Sequence, residues 1–372
     1  MIVNAIQPFG DTTSTYRFNP GYPVFNRIQI KTSSGAIIAD IDDYHILQKL
    51  LSNFDPDFES NAQLTGDYRM DDELEDIDAD QLTGGGVSIQ HNILAGLFSQ
   101  DHYLPVGMFS GSAGHSFETT LSLNDPKMCM SSTTGSTPTE DLKYKLTNCN
   151  MQIEVVQLPE SVNQKLNSQL MSGEKISIPM VNYRSHKSYI PASSQAVDIT
   201  LSESAHDLDS VMTVLLPNGV PANRAVGQTY GKEENTRFYG GGVNAAVKDW
   251  QFNYADRYFP VQKIELKTKD QRLALMHAVK NLDLTGKPAI VNQVNRWKDQ
   301  FCIVQSFKTS KEDDLLNGLN SSSSGSPLIL QLSLKEAAGV AYRVVSFVKQ
   351  NQTLNVFKGG ATSLTDGSVE NF

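Results

Sequence analysis

Short runs in which apolar and polar residues alternate, each bounded by Gly, Ser, Asn or Pro, recur along most of this chain. Phe117, Thr119, Leu121 and Leu123 alternate, and so do Cys149, Met151, Ile153 and Val155. The pattern returns at Ile176, Ile178 and Met180, at Val197, Ile199 and Leu201, and at Leu328, Leu330, Leu332 and Leu334. Val344, Ser346 and Val348, then Leu354 and Val356, close the series. A period of two sends successive side chains to opposite faces, so each run predicts a strand with one face on a core. Many such strands with turn residues between them predict an all-β sandwich or barrel.

Helical spacing is rare and brief. Behind Asp40, expected as an N-cap, Tyr44, Leu47, Leu51 and Phe54 share a helical face with Ile46 and Leu50 beside it. Val162, Leu166 and Leu170 recur at spacing four before Gly173, which fits the C′ position of a helix. A third helix is expected at about residues 271–281, with Leu275, Met276 and Val279 inward. These helices do not alternate with the strands, so a βαβ series is excluded.

A chain of 372 residues exceeds the size of one ordinary core and predicts about two domains. At an offset of 236, Tyr22, Arg27, Ile28, Ile30, Lys31 and Thr32 face Tyr258, Lys263, Ile264, Leu266, Lys267 and Thr268. Pro23 and Pro260 lie near the start of each run, and a helical pattern follows both, as two copies of one β-fold would give. The expected seam is Pro217-Asn218-Gly219-Val220-Pro221, directly after an apolar strand at 211–216. The expected division is an arm at 1–19, a first domain at 20–217 and a second at 218–372. Long polar loops are expected at 61–86, 124–141 and 220–242, where loop length points to interaction surfaces.

Charge removes some classes of function. The formal net charge is -10, and the 31 Lys and Arg residues are scattered, so no basic stripe exists to follow a nucleic-acid backbone. The start, Met1-Ile2-Val3-Asn4-Ala5-Ile6-Gln7-Pro8, has neither the basic nor the apolar region of a signal peptide. No uncharged apolar run reaches the length of a membrane-crossing helix.

Candidate chemistry is sparse. Asp76, Asp78 and Asp80 begin like a calcium loop, but Gln81 stands at the position of the turn glycine and Val87 at that of the bidentate glutamate. Gly84-Gly85-Gly86 and Gly240-Gly241-Gly242 lack the surroundings of a phosphate cradle and read as turn glycines. His45, His91, His102, His115, His186, His206 and His277 form no metal-type spacing, and Ser110 to His115 lacks a nucleophile elbow and an indicated acid. Cys129, Cys149 and Cys302 are odd in number and far apart, and read as small apolar residues. Trp250, Trp297, Tyr254, Tyr258 and Phe259 read as core and inter-barrel packing, with a sugar-stacking platform as the other use of such residues. Asn320-Ser321-Ser322 and Asn351-Gln352-Thr353 are glycosylation sequons that matter only in a secreted chain. No catalytic, cofactor-binding or metal-binding residue is assigned, and the chain is expected not to be an enzyme.

The order of elements resembles a known family. Asn26-Arg27-Ile28-Gln29-Ile30, then Ser33-Ser34-Gly35, then Ile38-Ala39-Asp40-Ile41-Asp42-Asp43-Tyr44 resembles the strand, turn and helix near the start of double jelly-roll major capsid proteins of tailless double-stranded DNA viruses. His45 stands where an Asn is common in that motif. Tyr144-Lys145-Leu146-Thr147-Asn148-Cys149, Ile178-Pro179-Met180-Val181-Asn182-Tyr183, the strand at 193–201, Tyr258-Phe259-Pro260 and the segment 320–326 follow in order. The resemblance implies two tandem jelly-roll β-barrels with a few short helices, a homotrimer forming a pseudo-hexameric capsomer, and an icosahedral shell. It implies a place in the virion capsid after synthesis inside a host cell. Implied partners are further copies, penton and minor capsid proteins and an internal membrane, with no sequence-specific contact to nucleic acid. The arm at 1–19 is expected to be a strap that orders on assembly, so that its deletion leaves a folded trimer. The alternative is a β-sandwich adhesin, spike or carbohydrate-binding protein. An enzyme on the same fold would need a cupin His-x-His…Glu…His set, which is absent, or two carboxylates at glycosidase spacing.

Overall fold

The structure, a computed structural model, describes residues 2–9, 16–18, 24–32, 35–54, 87–90, 93–98, 104, 117–125, 130–132, 143–147, 149–151, 156–217, 247–265, 302–309, 317–322, 325–338, 341–358 and 361–366. Within them lie eighteen strands and two helices. In the first part of the chain these are β1 (Ile2–Phe9), β2 (Tyr16–Phe18), β3 (Phe25–Thr32), β4 (Ile37–Asp42), α1 (Tyr44–Phe54), β5 (Val87–Gln90), β6 (Phe117–Leu123), β7 (Met130–Ser132), β8 (Lys143–Leu146) and β9 (Cys149–Asn150). Helix α2 (Glu160–Met171) follows. The rest are β10 (Ile176–Ile190), β11 (Ala196–Leu201), β12 (Leu208–Pro217), β13 (Val247–Tyr254), β14 (Arg257–Glu265), β15 (Cys302–Ser306), β16 (Leu328–Leu334), β17 (Tyr342–Val356) and β18 (Thr362–Asp366).

The later strands pair as a set of nested antiparallel ladders. Innermost is the hairpin β13–β14, where Tyr254 faces Arg257 across Ala255 and Asp256. Both turn residues have positive φ, 46° and 63°, as a two-residue turn matching the twist of its strands requires. Outside it β12 pairs with β15, then β11 with β16, then β10 with β17 over fifteen consecutive residue pairs. Rolling these four ladders up gives two sheets of order β10-β17-β12-β15 and β11-β16-β13-β14, with β18 added beside β17. That is a complete eight-stranded jelly roll closed within 176–356.

The earlier strands repeat the scheme. β3 pairs with β6, β2 with β7 and β1 with β8, again nested, while β5 and β9 also pair with β1 and β4 pairs with β3. The chain is thus all-β, as the alternating pattern predicts, with two jelly rolls in tandem, as the resemblance implies.

The boundaries differ from those expected. Residue 217 ends β12, inside the second roll, so the expected break between 20–217 and 218–372 cuts across its sheets. The Pro-Asn-Gly-Val-Pro sequence signals that a strand stops, but which strands it separates is decided by long-range pairing that turn chemistry does not encode. Nor are residues 1–19 an unpaired arm, since β1 and β2 pair with β8 and β7 within the first roll. Strand β1 interrupts its apolar residues with Asn4, Gln7 and Pro8, which hides its pairing role. The duplication at offset 236 also fails, because β3 is flanked by β4 and β6 whereas β14 pairs only with β13 among the described residues.

Burial follows the strand pattern with instructive exceptions. On β16, Leu328, Leu330, Leu332 and Leu334 are buried while Ile329, Gln331 and Ser333 are half-buried. Strands β12 and β17 are buried on both faces: 211–216 and 344–350 contain no exposed residue. Continuous apolar runs, rather than alternation, mark such doubly covered strands. Trp250 and Phe252 meet edge to face with ring centroids 6.0 Å apart, and Phe252 stacks likewise on Phe307 at 5.8 Å. Trp250 and Tyr254 are thus core residues, as expected, whereas Tyr258 is exposed on β14. Cys149 and Met151, expected to face inward, are exposed, and Ile153 lies outside the described residues.

Helix α1 presents Tyr44, Ile46, Leu47 and Leu50 to the core. Asp40 belongs to β4 and does not cap it. Asp43, with φ 53°, precedes the first turn, and its carbonyl accepts the amides of Ile46 and Leu47. Helix α2 buries only Leu170 and ends as expected at Gly173, whose φ of 91° suits a glycine C-terminal turn. It stands between the two rolls in sequence. The helix expected at 271–281 lies outside the described residues.

Candidate functional site

Where the two rolls meet, β4 of the first lies beside β10 of the second. Their backbones do not form a ladder. Instead β10 offers side chains: Asn182 Nδ2 donates to the Ile38 carbonyl and to Gln352 Oε1, each at 2.8 Å, and Ser185 Oγ accepts the Asp42 amide at 3.1 Å. Gly96 sits where a Cβ would come within 2.2 Å of the Val181 carbonyl oxygen, so only glycine lets the 93–98 segment press against β10.

Charge completes this junction. The Asp43 carboxylate is buried and takes Arg343 of β17 on one oxygen and Lys187 of β10, at 3.2 Å, on the other. Lys187 also reaches Asp42 at 3.1 Å. Burial by itself would raise the pKa of Asp43, but the Arg343 hydrogen bond and charge, with His45 and Lys187, hold it below the ordinary carboxylate value. Only the carboxylate is buried, while Arg343 and Lys187 keep part of their side chains in water, so the contact fixes geometry more than it adds strength.

Next to it is His45, buried on α1, with no hydrogen-bond partner for either ring nitrogen among the described residues. Burial lowers its pKa to about 4, Arg343 and Lys187 push the same way, and Asp43 opposes them. The unfolded chain, with an ordinary histidine near 6.5, therefore takes up the proton first as pH falls. Stability contributed by a neutral His45 is complete above about pH 6.5 and is lost progressively down to pH 4, by roughly 3 kcal/mol for a shift of this size. His45→Phe should flatten the acid limb of a stability–pH curve measured by urea unfolding between pH 7 and 4. An unchanged acid limb in the variant would place the sensitivity elsewhere.

The second polar cluster is inside the second roll. Glu203, with a side chain 2% exposed, holds Arg184 and His186 at 2.9 Å each. Asp207 accepts the Gly318 amide and Asn351 Nδ2, both at 2.7 Å. Asp209 is fully buried beside Lys308 and Lys349. These groups tie β10, β12, β17 and the 317–322 segment together.

None of this resembles a reaction centre. Among the described residues no three His, Cys, Asp or Glu side chains are grouped to hold a metal. The Cys302 thiol is buried and its pKa pushed up to about 12, which leaves it unreactive. His206 is exposed and bonds Ser322. His91, His102, His115, His277, Trp297, Cys129, the run from Ser110 to His115 and the acidic stretch at 71–80 lie outside the described residues. Of the two sequons, Asn320 is exposed, whereas the Asn351 amide is spent on Asp207. The junction residues were not assigned from sequence. A usable signal existed: three aspartates close a mostly apolar strand at 40–43, and a lone histidine sits in an apolar helical run.

No protein-family model matches the sequence, and no curated protein matches it. Solved structures do match in fold. The chain is similar to PBCV-1 VP54, as fitted into a reconstruction of the virophage Sputnik, at TM-score 0.59 and 8% identity, over 99% of this chain and 88% of that one. It is similar to the Faustovirus major capsid protein at TM-score 0.57 and 9% identity, over 92% of this chain and 73% of that one. A chain of the Sputnik virophage matches at TM-score 0.51 and 10% identity, over 99% and 81%. The fold shared with these proteins is the double jelly roll.

Proposed function

We propose that this chain is a viral major capsid protein that trimerises into pseudo-hexameric capsomers and tiles an icosahedral shell. The observation that supports this most is the coupling of the two rolls through the contact of the buried Asp43 carboxylate with Arg343 and Lys187. Two barrels held in fixed relation give one subunit two near-equivalent sides, and three subunits then present six. The structures with this fold that the chain resembles include one named as a major capsid protein. Rolled sheets hide most strand edges, which lets a coat protein reach high local concentration without edge-to-edge aggregation.

The working division is a first roll over 2–150, a connecting segment carrying α2, and a second roll over 176–366. The partners in this reading are other copies, penton and minor capsid proteins, and an internal membrane where the particle has one. The location is the virion, after synthesis inside a host cell, and no catalytic role is assigned. Mass photometry and negative-stain microscopy of the purified chain test the proposal. Three-fold particles with a six-lobed outline, or closed shells, support it; a monomer at all concentrations, binding glycans through β14, overturns it in favour of an adhesin.

A further inference from the structure

The charges around the buried His45 ring divide by roll. Its anionic neighbour, Asp43, stands beside it at the entry to α1 in the first roll, whereas its cationic neighbours, Lys187 on β10 and Arg343 on β17, belong to the second. Asp43 takes both cations and so ties the rolls together. Among the described residues, the other charged groups at this place are Asp42 on β4, 3.1 Å from Lys187, and Arg27 on β3, 3.7 Å from Asp42. Tyr44 is buried with its hydroxyl on the Leu94 amide, and the 93–98 segment carries no titratable side chain. Two further bonds cross the junction, from Asn182 to the Ile38 carbonyl and from the Asp42 amide to Ser185, and both join groups that do not titrate.

We propose that a proton on His45 opens the junction between the two rolls while each roll stays folded. In the closed junction the charged ring is cut off from water and repelled by Lys187 and Arg343. Separating the rolls removes both cations, lets water reach the ring and leaves Asp43 beside it, so all three changes favour the protonated form. The proton also changes what Asp43 holds. At neutral pH its carboxylate binds the cations of the second roll, and at acid pH it gains a competing cation from its own roll. A proton can shift this equilibrium only by its difference in affinity for the two states. With the ring titrating near 6.5 when open and at about 4 when closed, opening becomes about a hundredfold more favourable between pH 7 and 4. The device lies within one chain and does not depend on assembly, although in a coat it acts in every subunit.

Hydrogen–deuterium exchange of the full chain at pH 7 and pH 4, corrected for the intrinsic pH dependence of amide exchange, tests this. The Asp42 amide is the reporter, because its bond to Ser185 crosses the junction. Its protection should fall about a hundredfold at pH 4, while the amides of β3, paired with β6, and of β16, paired with β11 and β13, keep theirs. His45→Phe should hold the Asp42 amide at its pH 7 protection, and His45→Gln serves the same end where the phenylalanine variant does not fold. An Asp42 amide equally protected at both pH values overturns the proposal, as does a loss shared by β3 and β16. A drop that persists without His45 also overturns it and assigns the charge change to another group, Asp42 included.

Discussion

Deleting residues 1–19 should unfold the first roll and leave the second intact. Strand β1 is the centre of its sheet: Ile2, Val3 and Asn4 face Gln90, Ile89 and Ser88 on one side, and Ile6 to Phe9 face Leu146 to Lys143. β9 also pairs with it, through Ile2 and Val3. Without β1, three strands lose their partner and their backbone groups must find water or another chain. At about 1 kcal/mol net for each hydrogen bond, the loss is on the order of 5 kcal/mol or more, comparable to the whole stability of a small domain. The newly bared edges also invite aggregation. Limited proteolysis should digest the truncated chain up to about residue 150 and spare 176–366. A truncated chain as protease-resistant as the full one, failing only in assembly, would restore the strap reading of these residues.

That reversal shows what the sequence encodes openly. Strands with one covered face are legible because their alternation is a local property, as β16 and β11 show. So are the end of α2 at Gly173 and the core role of Trp250, since each depends on few neighbours. Strand β1 was not legible, because Asn4, Gln7 and Pro8 blur its pattern and its standing depends on partners about 85 and 140 residues away. The same reason explains the misplaced seam. Proline and glycine after β12 report a chain break correctly, but only the ladder from β10 to β17 shows that both sides of the break belong to one roll. The junction was hidden for a further reason. Asp43, Lys187 and Arg343 are ordinary charged residues in sequence, and their convergence on one buried carboxylate, the property that makes them unusual, exists only after folding.

Leu330→Asp should prevent the second roll from forming. Leu330 is 0% exposed at the middle of β16, and its cross-strand neighbours are Ile199 on β11 and Phe252 on β13. Phe252 in turn packs on Trp250 and Phe307, so the substitution reaches the centre of the aromatic core. Removing a buried leucine side chain costs about 2–5 kcal/mol. A carboxyl with no partner adds several more, whether it stays charged or is forced neutral by burial. Together these match or exceed the roughly 5–15 kcal/mol that holds a typical domain folded. The adjacent position separates facing from strand content. Gln331 points to the opposite, half-buried face opposite Asp198, so Gln331→Lys places its charge beside an acid and should change stability by no more than about 0.5 kcal/mol. Soluble yield and thermal unfolding of the two variants read the difference directly. If Leu330→Asp were as soluble and heat-stable as the parent while Gln331→Lys unfolded, the inward face of β16, and with it the rolled core of residues 176–356, would have been assigned to the wrong side of the sheet.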